Sequence, residues 1–158
     1  MTIIRNVCVS ISLILLVTPF LAHADAREDH RSIQETLSRY ESALNAANAG
    51  EIAQLYTADG VMMAPDAPTA VGREAIQAAY SGLGQALSFN LAFTVDEIEL
   101  IDDETALLRS HSNGTVMVNG GGQAANEAAF KELFVLEKQD DGKWKFTHYS
   151  FSSSPLGE

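Results

Sequence analysis

The chain has 158 residues and a formal net charge of −11, with 21 Asp and Glu against 10 Lys and Arg. No run of Lys and Arg offsets that charge, which argues against nucleic acid and anionic membranes as partners. One domain of this size buries roughly two-thirds of its unfolded surface, enough for a real core.

Met1 to Ala24 carries one basic residue, Arg5, then an apolar run from Val7 to Leu21, then Ala22-His23-Ala24. This is the three-part layout of a secretory signal peptide, with cleavage after Ala24. The apolar run is shorter than the roughly 20 residues that span a bilayer, and Thr18 and Pro19 interrupt it. The expectation is a signal peptide over 1–24 and one domain over 25–158. The product is expected to be secreted or periplasmic, with no membrane attachment after cleavage. Cys8, the only cysteine, lies before the apolar core. It is therefore not a lipoprotein cysteine, and the remaining chain has no thiol for a disulfide, a nucleophile or a metal ligand.

Ile33, Leu37, Tyr40, Leu44 and Ala47 recur at three- and four-residue steps. That spacing predicts a helix over Asp25–Ala49 with one apolar stripe. Asp25 with Glu28, or Ser32 with Glu35, is a candidate capping box, and Gly50 a natural stop. A short helix over Glu51–Tyr56 turns Ile52, Leu55 and Tyr56 inward. Ala58-Asp59-Gly60 reads as a turn and Val61–Ala64 as a short strand. Pro65 and Pro68 enforce a loop, and a third helix over Arg73–Leu83 places Ile76, Tyr80 and Leu83 on one face, with Gly82 and Gly84 ending it.

The remainder reads as strand. Phe89, Leu91, Phe93 and Val95 alternate with polar or small residues, after which the apolar set slips one place to Ile98 and Leu100. A β-bulge near Asp96-Glu97 would restore the facing. Thr105–Asn119 forms a long strand and Gly120–Gly122 a loose connection. Asn126–Ser154 is a hairpin turning at Asp141-Gly142, a dipeptide that tolerates the positive φ of such turns. Its first strand has apolar residues on both faces, Phe130, Phe134 and Leu136 against Leu133 and Val135, which favours a second covering surface such as a partner subunit. Helices followed by long antiparallel strands make an α+β layout: a long N-terminal helix and two short ones in the concave face of a strongly bent, antiparallel or mixed sheet.

Arg39-Tyr40, Ala43-Leu44-Asn45-Ala46, the Tyr56–Gly60 turn, Pro65, Gly72-Arg73-Glu74-Ala75-Ile76 and Glu132-Leu133-Phe134 resemble the nuclear transport factor 2-like superfamily. That superfamily includes ketosteroid isomerases, scytalone dehydratase and SnoaL-like polyketide cyclases. The resemblance is to small secreted bacterial members of unassigned activity and covers about Ala26 to Ser154. It implies a cone-shaped α+β barrel, a scaffold that serves enzymes, binders and dimerisation modules alike. By resemblance to the isomerases, Tyr40 matches a tyrosine donating to the developing oxyanion. Glu132 falls where they keep a protonated aspartic acid as second donor. Where they carry the general base, before Pro65, this chain has Ala64, and Asp66 substitutes only if its loop folds inward. A ketosteroid isomerase is therefore not expected.

Alternation puts Glu132 on the face of Phe130, Phe134 and Leu136. It is either a cavity residue with a raised pKa or one half of an ion pair, for which Arg109 in the neighbouring strand, with His111 and Asn113 on its face, is the nearest cation. Tyr40 is either a core filler or a ligand donor. His148, on the face of Trp144, Phe146 and Ser150, is a candidate general base. Tyr56, Met62, Tyr80, Arg109, His111 and Trp144 complete the expected lining. No metal is expected, since His111 and His148 lack further ligands at the right spacing. No cofactor is expected either, because Gly120–Gly122 lacks the strand-to-helix setting of a phosphate loop. Two functions follow. One is a cavity protein for a small, apolar or carbonyl-bearing molecule, with acid–base chemistry of isomerase, dehydratase or cyclase type through Tyr40, Glu132, His148 and Asp66. The other is a non-catalytic homodimerisation module with a filled cone.

Overall fold

The computed structural model describes residues 18–156, with side chains from residue 25 onward. Residues 1–17 of the expected signal peptide lie outside this range. Helix α1 (Thr18–Asn45) is followed by α2 (Ala49–Gln54), strands β1 (Tyr56–Met63) and β2 (Ala70–Val71), and α3 (Arg73–Ala86). Four strands follow: β3 (Leu87–Leu100), β4 (Thr105–Val118), β5 (Asn126–Lys138) and β6 (Trp144–Ser153). They form one sheet in the order β2-β1-β6-β5-β4-β3, antiparallel except for the parallel β1–β6 pair. The α+β layout expected from the sequence is the one observed. Among the described residues no helix is long and apolar enough to cross a membrane.

The stripe of α1 is the centre of the core: Ile33, Leu37, Tyr40 and Leu44 are all buried against Phe134, Leu136, Phe146 and Tyr149. Two α1 side chains also complete the edge strand. Asn45 bonds both the N–H and the C=O of Leu91, at 2.9 and 2.8 Å, and Glu41 accepts from the Phe93 N–H at 2.7 Å. An unpaired edge is thereby capped by the helix lying across it.

The element ends differ from the sequence reading for physical reasons. The helix expected to stop at Gly50 ends at Asn45, and Ala47 takes the positive φ of 52° while remaining exposed. Gly50 instead lies within α2, whose N-cap is Asn48 accepting from the Glu51 N–H at 3.1 Å. Because α1 begins at Thr18, the Asp25/Glu28 and Ser32/Glu35 pairs sit inside the helix. There Glu28 and Glu35 instead flank Arg31 as surface ion pairs. Ala58-Asp59-Gly60 is an irregularity within β1, whose register to β6 jumps between Tyr56 and Val61. Gly82 and Gly84 lie inside α3; Gly84 passes so close to the preceding turn that a Cβ there would be 3.0 Å from Ala47 Cβ. The expected bulge is present: Val95 pairs with Ser110 and Glu97 with Arg109, leaving Asp96 as the extra residue. The hairpin turn carries Gly142 at φ 77°.

Candidate functional site

Inside the cone lies a cavity of about 260 Å³. Its apolar wall includes Leu44, Met62, Leu91, Phe93, Phe130 and Phe151, and exposed Pro65 and Ala67 border it from the loop after β1. Its polar groups are few: Tyr40, Tyr80, Ser112, Glu132 and Tyr149. A largely apolar cavity with a handful of convergent polar atoms is the usual form of a small-molecule site.

Glu132 is buried with 3% of its surface exposed. It is held by two hydroxyls from β4: Ser110 Oγ donates to Oε2 at 2.7 Å and Ser112 Oγ to Oε1 at 2.6 Å. The sheet register makes this arrangement, since Ser110 stands directly opposite Glu132 and Ser112 opposite Phe130. Burial pushes the carboxyl above its ordinary pKa, while the Ser112 and Ser110 donors pull it back down. Both serines are fully buried, so they are committed to this one carboxyl.

Beside it stand the four tyrosines of the protein, all buried. The Tyr40 hydroxyl is 2.8 Å from that of Tyr80, and Tyr80 makes a longer 3.5 Å contact with Tyr56. Tyr149 packs edge-on against Tyr40 and lies parallel to Phe134, with centroids 4.2 Å apart. Burial raises every one of these phenols, Tyr80 to about 12 and the other three well above their ordinary value. They are therefore neutral donors at any physiological pH.

The structure brings together Tyr40, Tyr80, Met62 and Glu132 and separates the other expected residues from them. Tyr56 is buried behind Tyr80 and does not line the cavity. Arg109 faces away from Glu132: it pairs across the strands with Leu133, and its guanidinium reaches Asp96 at 3.3 Å and Glu97 at 3.2 Å on the outer face. His111 lies on the same outer face, with Nδ1 2.8 Å from Asp96 Oδ1. The bulge at Asp96 gathers both. His148 does not share the face of Trp144 and Phe146, because Thr147 is an extra residue between the Leu136–Phe146 and Val135–His148 pairs. That bulge turns His148 outward and Tyr149 inward. Asp66 is exposed, at φ 57°, outside the lining. Trp144 is buried at the far end of the hairpin, its Nε1 donating to Asp29 Oδ1 at 3.0 Å. Asp29 also holds Lys138 Nζ at 2.7 Å. Ala64 does line the cavity. Among the described residues no group of three or more His, Cys, Asp or Glu is arranged to hold a metal ion.

Sequence reasoning missed Ser110, Ser112 and Tyr149. The serines had a weak signal, the parity of Ala106 and Leu108 continued along β4. Tyr149 had a signal too, the slip of the aromatic set from Trp144 and Phe146 to Tyr149 and Phe151.

A bent sheet wrapped round one long helix, with an apolar cavity opening beside the helix tyrosine, defines the nuclear transport factor 2-like cone. A family model for the SnoaL-like domain matches residues 25–150, and the chain belongs to that family. It is 31% identical to a ketosteroid isomerase-like protein from Erwinia carotovora atroseptica, with a TM-score of 0.74 over 79% of this chain and 96% of that one. A hexachlorocyclohexane dehydrochlorinase from Novosphingobium barchaimii has the same fold at 17% identity, with a TM-score of 0.74 over 85% of this chain and 94% of that one. So does a nuclear transport factor 2-like protein with a cystatin-like fold from Novosphingobium aromaticivorans, at 21% identity and a TM-score of 0.68, over 90% of this chain and 92% of that one. No curated protein matches the chain.

Proposed function

We propose that the protein is a secreted or periplasmic cavity protein that binds a small, mostly apolar molecule carrying one oxygen acceptor. The observation that carries this reading is the polar cluster of Tyr40, Tyr80, Tyr149 and Glu132 at the wall of an otherwise apolar cavity. Tyr80 is the one hydrogen-bond partner of the buried Tyr56 hydroxyl among the described residues. Either partner can donate in each of these phenol contacts, so a hydroxyl of the Tyr40–Tyr80 pair at the cavity wall can turn its proton to an acceptor in the cavity. Glu132, whose burial raises its pKa, donates to a carbonyl or hydroxyl oxygen when it holds its proton. Two donors on one oxygen, away from water, are each worth several kcal/mol to a developing negative charge, on the order of 3 kcal/mol.

Acid–base turnover at this site rests on Glu132 as the only carboxylate in the lining. His148 is exposed on the outer face and Asp66 is exposed outside the lining, and Ala64 lines the cavity where the resemblance places the isomerase base. Binding therefore takes precedence over catalysis in this reading. The mature chain is expected to begin at Asp25, where the family match also begins, and to pair as a homodimer through the outer face of β5. There Leu133 is 44% exposed beside half-buried Val135.

Native mass spectrometry of protein released from the periplasm tests ligand and subunit count together. The expected result is a dimer retaining a small molecule. Tyr40→Phe and Glu132→Gln should each weaken retention about tenfold, and Leu133→Glu should give ligand-bound monomers. An empty monomer from the wild-type chain would overturn the proposal.

A further inference from the structure

In a protein of net charge −11, four of the ten cationic side chains gather at the end of the molecule away from the cavity. Arg39 of α1, Arg73 at the start of α3 and Lys143 just before β6 each act on Lys145 near the start of β6. Arg39, Lys143 and Lys145 line a second pocket of about 140 Å³ together with Ser32, Glu35, Thr36, Gln54, Leu55 and Trp144, while Arg73 acts on Lys145 from outside that lining. Strand β5 separates the two sites: Trp144 pairs with Lys138, six positions beyond Glu132, roughly 20 Å along the strand.

Three of the cations have partners that leave part of their charge available. Arg39 is paired with Glu51, and Lys143 Nζ is 2.7 Å from Asp141. Arg73 uses its Nε on the Tyr56 carbonyl at 2.9 Å, which neutralises nothing. Lys145 has no ion-pair partner among the described residues. Glu137, opposite it in register, makes no salt bridge with it. It is half-buried, and burial together with the Arg73, Lys143 and Arg39 charges lowers its pKa against the opposing Asp141 carboxylate. With Arg39 and Lys143 paired to carboxylates, Lys145 is the lining cation whose charge is left for an entering anion. In a chain this acidic, nothing in the composition requires four cations to share one end. The pocket is too small for a large ligand, and ammonium groups converge on phosphate as point charges.

We propose that this pocket binds a small tetrahedral dianion, phosphate or the phosphoryl group of a small phosphomonoester, with Lys145 and Arg39 as its principal contacts and Lys143 and Arg73 supplying field. Glu35 also lines the pocket; its side chain is 63% exposed and pairs with Arg31 at 3.7 Å. Trp144 is the protein's only tryptophan and lines the pocket, so its fluorescence reports on occupancy.

The test titrates the full-length protein with inorganic phosphate, and separately with glycerol 3-phosphate, against chloride at matched ionic strength. Trp144 fluorescence and isothermal titration calorimetry are the two readouts. The expected result is saturable binding of at least one phosphate probe and none of chloride. Lys145→Gln should weaken it about tenfold or more, while Lys145→Arg keeps it within about threefold. Preference for inorganic phosphate assigns the free ion, and preference for the monoester assigns a phosphorylated metabolite. Absence of saturable heat for both probes would overturn the site. So would binding unchanged in a Lys145→Gln protein that folds normally by circular dichroism.

Discussion

The two faces of β4, β5 and β6 alternate residue by residue, and they obey different physics. On the inner face Ser110, Ser112, Glu132 and Tyr149 are buried, and their hydrogen bonds and ring contacts are with one another and with the core. On the outer face Arg109, His111, Leu133 and His148 are water-accessible to varying degrees, and their ion pairs are surface pairs. Neighbours in the chain therefore differ more in consequence than residues far apart in it. In β6 the bulge at Thr147 decides which residue falls on which face, as the one at Asp96 does in β3.

Tyr149 and His148 offer the sharpest way to break that contrast. Tyr149 stacks on Phe134 and meets Tyr40, so Tyr149→Ala leaves a hole in the aromatic core. It should cost about 3–5 kcal/mol. His148→Ala, one residue away, touches the Thr147 hydroxyl at 3.2 Å and little else, and should stay within about 0.5 kcal/mol. Urea unfolding of the two variants measures both. Equal losses would mean that the β6 bulge does not set the facing.

A smaller effect separates Ser110 and Ser112 from Arg109. Ser110→Ala or Ser112→Ala removes one donor from a buried carboxyl, which should destabilise by about 1.5–3 kcal/mol. Arg109→Ala removes only solvent-exposed ion pairs and should cost about 1 kcal/mol or less. The serine variants also carry a pH signature. Glu132 has a folded-state pKa above its unfolded one, so the native state binds its proton more tightly. Stability from this group is fully present below the unfolded pKa and is lost as pH rises through the folded pKa. Removing a serine raises that pKa further and widens the pH window of loss. Glu132→Gln should flatten it, as read from denaturation midpoints between acid and neutral pH.

Much of this site was legible in the sequence because period-two alternation is a local property. Glu132 among Phe130, Phe134 and Leu136, and Tyr40 on the stripe of its helix, are both where the pattern puts them. The Asp96 bulge was legible because the apolar set visibly slips there. The Thr147 bulge left the same kind of trace, a slip that the sequence reading passed over. Trp144 and Phe146 give way to Tyr149 and Phe151, a slip of one place, but His148 and Ser150 also continue the earlier parity, and the pairing with β5 places the change of phase at Thr147. In β4 both parities turn polar after Leu108, so hydrophobicity could not say whether Ser110 or Arg109 faces Glu132. Register is a pairing property, and it decided both cases.

The four tyrosines extend the comparison to alkaline pH. Since all of them are inside, ultraviolet titration should show no tyrosinate while the protein is folded, even past the ordinary phenol range. Their raised pKa values mean that stability is lost as pH rises above the unfolded value near 10. Ionisation and alkaline unfolding should therefore coincide in one transition. A tyrosinate step that precedes the loss of circular dichroism would place a phenol at the surface.

Thr57 carries the smallest expected effect, and one of opposite sign. Its Oγ1 is buried and is without a hydrogen-bond partner among the described residues, whereas the equally buried hydroxyls of Ser110 and Ser112 each have one. A hydroxyl left unpaired in the interior carries its desolvation penalty without return, and a methyl of the same shape does not. Thr57→Val should therefore stabilise the protein, by about 1 kcal/mol. Ser110→Val would do the reverse, because it strips a donor from Glu132 and adds volume to a filled layer. If both valines destabilised to the same extent, burial alone and not hydrogen-bond satisfaction would govern the inner face.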